Sequence, residues 1–157
     1  TIIMLVLAGK VGSSIASEIG TMRVTEQIDA LEIMGINSSG YLVVPKMIAA
    51  IFITPFLVLI SMFVGIAGGW VAGELSGVIP SADYIKGIHY EFIPFNVTFA
   101  MIKTVVFAFI ITSISSFQGF YTAGGSLEVG QSSTRAVVYS SVLILIFDYV
   151  ITQLILA

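Results

Sequence analysis

Long apolar runs separated by short polar stretches dominate the chain. Met47–Leu75, Phe95–Ile114 and Ala136–Ala157 are each long enough to cross a bilayer, and Thr1–Ala8 opens the chain in the middle of a further apolar run. A transmembrane helix needs about 20 consecutive, mostly apolar residues. The pattern therefore predicts an all-α, polytopic membrane protein with about four spans, the first of them present only as its tail.

The stretches between these runs predict loops. Gly9–Gly40 is polar and rich in small residues, so we expect it to lie outside the membrane core. Ser76–Pro94 carries prolines and charges and predicts a short loop on the opposite side, and Ser116–Arg135, rich in Gly, Ser and Thr, predicts a third loop. Pro55 lies inside the longest apolar run, so we expect that span to be tilted or broken near it.

The distribution of Lys and Arg predicts the orientation, because these residues favour short cytoplasmic loops. Lys10, Arg23, Lys46 and Arg135 fall on one side of the predicted membrane, and Lys86 falls on the other. We therefore expect the first and third loops to be cytoplasmic and the C-terminus to be extracytoplasmic.

Composition supports a membrane protein and narrows its chemistry. Of the 157 residues, 57% are hydrophobic and only 10% are charged, and the formal net charge of −3 argues against a nucleic-acid partner. The chain has no Cys and one His, which excludes thiolate and His-based metal sites. Its Gly-rich segments lack the Gly-Lys-Ser/Thr ending of a nucleotide loop, and no His or Lys is arranged as a base near Ser132, Ser133, Ser140 and Ser141. We therefore predict no catalytic residue, no ATP hydrolysis by this chain and no bound cofactor.

Two charges lie inside the apolar runs, Lys103 in one and Asp148 in another, with no other formal charge in either. Ionisable residues within a span are costly and mark a functional-site hypothesis. On the predicted topology both lie roughly 10–14 Å from the outer ends of their helices, hence at similar depth. They fit a cavity for an anionic amphiphile such as a lipid, but a structural ion pair or a proton or ion pathway fits the same residues.

A short amphipathic helix is predicted over Thr21–Gly35, which we call the coupling segment. Its apolar residues recur at helical spacing, and its acidic residues point to another face. The apolar residues are Val24, Ile28, Leu31 and Met34, and the acidic residues are Glu26, Asp29 and Glu32. Gly35 is a plausible C-terminal stop. Such a helix suits a groove on a cytoplasmic partner. A helix lying on the membrane is the alternative, although those helices usually carry Lys and Arg on the polar face.

Small residues recur every four positions in two segments. Such a series removes side chains from one helix face, so that a neighbouring helix can approach closely. The neighbouring helix can belong to the same subunit or to the second subunit of a dimer. The two series are Gly65, Gly69 and Gly73, and Gly12, Ala16 and Gly20.

The sequence AGKVGSSIASEIGTMRVTEQIDALEIMGI, Ala8–Ile36, closely resembles the signature region of the MlaE/YrbE family, the permease subunits of Mce-linked ABC transporters. Later segments match the family in order: VVPKMIAAIFITPFL at Val43–Leu57, the block Ile102–Ser141, and ILIFDYV around Asp148. The resemblance covers essentially the whole chain.

This resemblance implies a single MlaE-type permease domain over residues 1–157, with the N-terminal part of the protein missing. It implies a homodimer in the bacterial inner membrane that moves phospholipids or related lipids between membranes. The implied partners are a cytoplasmic ABC ATPase that binds ATP and Mg²⁺, an extracytoplasmic Mce substrate-binding protein and a small STAS-like cytoplasmic protein. An ion- or proton-coupled secondary transporter and a membrane scaffold remain alternatives.

The resemblance also implies roles for particular residues. Lys103 and Asp148 fall where the family places charged residues near its lipid cavity. Lys10 stands where the family more often has Arg, which keeps the positive charge but loses bidentate hydrogen bonding. The coupling segment is implied to enter the ATPase, with these contacts: Arg23, Glu26, Gln27, Asp29, Leu31 and Met34.

Overall fold

The computed structural model describes residues 1–77 and 79–156, and within these ranges all regular secondary structure is helical. The first helix, α1, continues through a π-helical turn, Ala8–Gly12, into α2 without interruption. The helices are α1 Ile2–Leu7, α2 Ser13–Val24, α3 Gln27–Ile33, α4 Ser38–Ser76, α5 Ser81–Tyr90, α6 Pro94–Phe120 and α7 Ser126–Leu156.

Four helical stretches of the described residues are long and apolar enough to cross a membrane. They are Ile2–Val24, which we call the first span, Ser38–Ser76, Pro94–Phe120 and Ser126–Ile155. The predicted all-α polytopic architecture with about four spans is therefore confirmed.

The prediction of a loop over residues 9–40 is wrong for its first half, because residues 9–24 complete the first span. Small residues that made this stretch look like a loop, Gly12 and Ala16, allow close packing against α6. A Cβ at Gly12 would stand 2.9 Å from Ser115 Oγ, and one at Gly119 would stand 2.7 Å from the carbonyl oxygen of Ala16. The series Gly12, Ala16 and Gly20 thus packs within the chain.

The other two predicted loops are shorter than expected. α5 occupies most of the stretch between α4 and α6, and only residues 121–125 separate α6 from α7. Hydroxyl groups at that turn bond back onto the flanking helices. Thr122 Oγ1 donates to the carbonyl oxygen of Gln118, four residues back, and lies 2.7 Å from Ser132 Oγ on α7.

α4 is the longest helix, and it is assigned as continuous through both of its internal prolines, Pro45 and Pro55. The expected break near Pro55 is therefore absent from the described helix. At 1.5 Å per residue, 39 residues extend for about 58 Å, almost twice the hydrocarbon thickness of a bilayer. The length leaves room for the tilt that the sequence also allowed.

Two hydrophobic clusters hold the bundle together. One joins α1, α4, α6 and α7 around Met4, Val58, Phe107 and Ile144. The other lies where α3 returns to the bundle and contains Ile15, Ile19, Ile28 and Leu42. We call this end of the molecule the α3 end.

Gly119→Ala is expected to destabilise the bundle by about 1–3 kcal/mol, because its Cβ would meet the Ala16 backbone, which cannot rotate away. Gly130→Ala on α7 is the matched control, since nothing lies within 4 Å of its Cβ position. The unfolding midpoint of each purified variant in mixed SDS micelles is the measurement. Equal midpoints for both variants would contradict the close packing of α2 on α6.

Candidate functional site

Lys103 and Asp148 form an ion pair between α6 and α7. Lys103 Nζ lies 2.7 Å from Asp148 Oδ1, donates to Thr152 Oγ1 at 2.8 Å, and stands 4.7 Å from the centroid of the Phe99 ring. The ammonium group has three N–H donors, so a carboxylate, a hydroxyl and an aromatic face together occupy it. The prediction that the two charges lie at similar depth is confirmed.

The ion pair also joins the first span to the bundle, because the Thr1 hydroxyl donates to Asp148 Oδ1 at 2.6 Å. The side chains are 14% exposed for Lys103 and 29% exposed for Asp148, so both are largely withdrawn from the surface. Sequence analysis missed the supporting residues Phe99 and Thr152. Their spacing was the available signal, since each lies one helical turn from its charged partner.

A cavity of about 260 Å³ lies beside the pair, between α1, α4 and α6. Lys103 lines it together with two hydroxyl residues, Thr1 and Thr104, whereas Asp148 lies outside the lining. The remaining walls are apolar: Ile3, Met4, Val58, Met62, Phe99, Ala100 and Phe107. Such a cavity can take an apolar chain with a polar atom placed near the ammonium group.

The coupling segment is not the single helix that the spacing predicted. α2 ends at Val24, and Glu26 adopts the left-handed conformation with φ 60° before α3 begins at Gln27. The reversal brings Ile28 back onto the second hydrophobic cluster, where it is fully buried. A continuous helix would carry this side chain away from the bundle, so burial favours the break.

Polar contacts secure this reversal. Arg23 Nη1 lies 2.6 Å from Asp29 Oδ1 across the break, and the Ser38 hydroxyl donates to Glu32 Oε1 at 2.9 Å. These contacts tie α3 to α2 and α4. Arg23 and Asp29, two of the residues predicted to contact a partner, thus contact each other.

Some of the remaining residues of the coupling segment anchor α3 on the bundle, and the others are exposed at the surface. Leu31 is partly buried with Ile28, whereas Glu26, Gln27 and Met34 are exposed. Ile33, which the helical spacing did not single out, is 87% exposed. Gly35, at φ 77°, stops α3 as predicted, two residues after Ile33, and the Ile36 N–H donates to the Leu31 carbonyl oxygen in a Schellman arrangement.

The glycine series of α4 serves packing within the chain at two of its three positions. Tyr84 of α5 donates from Oη to the carbonyl oxygen of Ile66 at 2.9 Å, and a Cβ at Gly69 would stand 2.7 Å from that Oη. Gly73 faces Ile79, and nothing in the described chain approaches Gly65. Among the described residues, no three His, Asp or Glu side chains converge on a possible metal position.

A bundle of four membrane-crossing helices with a buried ion pair beside an apolar cavity defines a polytopic helical membrane protein. The family model described as Permease MlaE matches residues 1–154. The chain belongs to the MlaE permease family.

Curated relatives agree with this assignment. A probable ABC transporter permease protein of Rickettsia bellii is 47% identical over 150 residues, which are 96% of this chain and 58% of the relative. A probable ABC transporter permease protein of Synechocystis is 40% identical over 95% of this chain and 57% of the relative. The Arabidopsis thaliana protein TRIGALACTOSYLDIACYLGLYCEROL 1, chloroplastic, is 39% identical over 95% of this chain and 43% of the relative. The chain therefore spans about half the length of these relatives.

Replacing one member of the ion pair should cost more stability than replacing both. Lys103→Met or Asp148→Asn leaves the other charge without its partner, and we expect each to destabilise the bundle by about 1.5–3 kcal/mol. The double variant should recover most of this loss, because no unpaired charge remains. Unfolding midpoints of the four proteins form a double-mutant cycle, and additive losses would show that the pair is not coupled.

Proposed function

We propose that the chain is the membrane-crossing part of a permease that moves phospholipids or related lipids between membranes and is driven by a separate ATPase. The observation that carries this proposal is the cavity whose walls are apolar except for a lysine and two hydroxyls. An amphiphile fits such a site, since its chain contacts the apolar wall and its polar group reaches Lys103.

The relatives support a lipid substrate and an ATP-driven mechanism. Two of them carry the name of ABC transporter permease, and the Arabidopsis relative is named after a galactolipid. We propose partner proteins for the same function. They are a cytoplasmic ABC ATPase holding ATP and Mg²⁺, a second copy of this permease, an extracytoplasmic Mce protein and a small STAS-like protein, assembled in the bacterial inner membrane.

In this function α3 receives the movement of the ATPase. Its outer surface offers polar and apolar contacts through Glu26, Gln27, Ile33 and Met34, all of them exposed. Its inner surface is fixed by buried Ile28 and by the contact of Arg23 with Asp29. A push on α3 is therefore transmitted to the first span and to α4 rather than absorbed by a flexible loop.

Lys103→Met is expected to lower the phospholipid that co-purifies with the full-length protein severalfold, because the cavity loses its cation. Lys103→Arg should retain most of the lipid, and Lys86→Met on exposed α5 is the matched control for loss of a lysine. Lipid phosphorus per protein, measured after mild-detergent purification, reads out the effect. Unchanged lipid content in the folded Lys103→Met variant would contradict a role of Lys103 in binding the lipid head group.

Glu26→Gln combined with Asp29→Asn is expected to lower lipid moved per ATP hydrolysed roughly tenfold, which corresponds to about 1.4 kcal/mol of lost coupling. The two carboxamides keep the side-chain shapes, so the loss reflects charge, both at exposed Glu26 and in the contact of Asp29 with Arg23. Glu91→Gln, exposed beyond the far end of α5, is the control.

The assay uses the full-length permease with its ATPase in vesicles and follows lipid transfer and phosphate release together. Unchanged coupling would contradict the role of α3. Lipid or ion movement that needs no ATP would instead favour the secondary transporter.

A further inference from the structure

The first span presents a face that no other part of the described chain covers. Residues on it recur at steps of three to four: Ile2, Val6, Lys10, Ser14, Glu18 and Thr21 are all exposed. The opposite face packs on α6 and α7 through buried residues such as Gly12, Ala16 and Gly20. In a membrane, the exposed face must meet lipid, water or another protein.

The chemistry of this face changes at Lys10. Toward Thr1 it is apolar, with Val6 66% exposed, whereas toward the α3 end it is polar, with Ser14, Glu18 and Thr21. Lys46 lies 2.6 Å from the Glu18 carboxylate and balances its charge. Gly12 faces Ser115 and Ala16 faces Gly119, so the first span and α6 run parallel in that register. Lys10 therefore lies level with a point on α6 about 10 Å before the C-terminal end of that helix, at 1.5 Å per residue. This depth is inside the membrane-crossing stretch.

A lysine at this depth needs an anionic or aqueous partner, since an isolated charge in hydrocarbon is costly. Within residues 1–77 and 79–156, no carboxylate lies within salt-bridge distance of Lys10; the ion pairs there involve other cations. The Ser13 hydroxyl donates to the carbonyl oxygens of Gly9 and Lys10, so the backbone of the π-helical turn is partly satisfied. The Lys10 ammonium group therefore needs a partner from outside the described chain.

A second copy of the chain offers poor candidates for that partner. Two carboxylates lie within the described spans at this end, and both are engaged: Glu18 lies 2.6 Å from Lys46, and Glu128 accepts the Gly125 N–H at 2.7 Å. The other carboxylates at this end belong to the coupling segment, beyond the spans. A phospholipid, in contrast, brings an anionic phosphate to this depth from the head-group layer. Space is available for it, because nothing lies within 4 Å of a Cβ at Gly9.

We propose that Lys10 binds the phosphate of a membrane phospholipid, and that the polar face from Lys10 to Thr21 is the track by which the head group enters from the α3 end. The proposal rests on the proposed function in one respect, that the substrate is a lipid. The site is separate from Lys103, and it binds lipid whether or not an ATPase drives transport.

The test uses bimane attached to single cysteines on this face, since the 157 residues contain none. Ser14→Cys lies one turn beyond Lys10 toward the α3 end, and Val6→Cys, the matched control, lies one turn before it. Full-length protein, with any cysteine elsewhere replaced, is placed in phosphatidylcholine and phosphatidylglycerol vesicles. These vesicles contain either a head-group nitroxide lipid or an acyl-chain nitroxide lipid. Quenching by the two lipids reports which part of the lipid meets each position.

At Ser14→Cys we expect head-group quenching to exceed acyl-chain quenching at least twofold, with the reverse ratio at Val6→Cys. Adding Lys10→Met should abolish the excess at Ser14→Cys, whereas Lys10→Arg should keep it. Acyl-chain quenching at both positions would overturn the proposal, because the face would then be ordinary lipid contact. Absence of quenching by either lipid would also overturn it, since protein would then cover the face.

These outcomes are independent of lipid transport and of Lys103. A permease that moves no lipid, yet shows the Lys10-dependent head-group quenching, would retain this site and lose the proposed function. A working permease without that quenching would retain the function and lose this site.

Discussion

The close contact between the first span and α6 is the constraint on which the rest of the structure depends. Ala16 and Gly119 bring the two helix backbones into contact, and Ser115 packs against Gly12 along the same line of contact, which we call the seam. Small residues permit such an approach in a membrane, where packing rather than the hydrophobic effect holds helices together. Because both helices run in the same direction, this seam fixes the relative depth of every residue that they carry.

Both candidate functional regions follow from that alignment. At one end of the seam, Thr1 and Lys103 both contact Asp148 of α7. These contacts join the first span, α6 and α7. At the other end, the first span stops and α3 turns back so that Ile28 joins the cluster beneath it. In the proposed permease, the first span thus connects the coupling segment to the ion pair through packed helices. A displacement at α3 would reach the cavity through the contact of Ile28 with the first span.

The sequence revealed the chemistry of the ion pair better than the course of the backbone. Lys103 and Asp148 stood out because they interrupt apolar runs, and burial in a membrane requires such charges to be compensated. Residues 9–24 were misassigned because hydropathy counts Gly and Ser as polar, although their small size is what allows helices to pack closely. The break at Glu26 left no local signal, since a left-handed glutamate is selected by burial of Ile28 and not by its own propensity.

The two intramembrane lysines differ in what a lipid phosphate would have to displace. Lys103 already contacts a carboxylate, a hydroxyl and an aromatic ring, so a phosphate there exchanges partners instead of gaining a free cation. Such an exchange gives less net free energy than binding to an unpaired ammonium group, because the lost contacts offset part of the new one. Lys10 has no such partners in the described chain, so it would hold a phosphate more firmly. In the proposed permease, Lys10 is therefore suited to capturing a head group, whereas Lys103 is suited to letting it go.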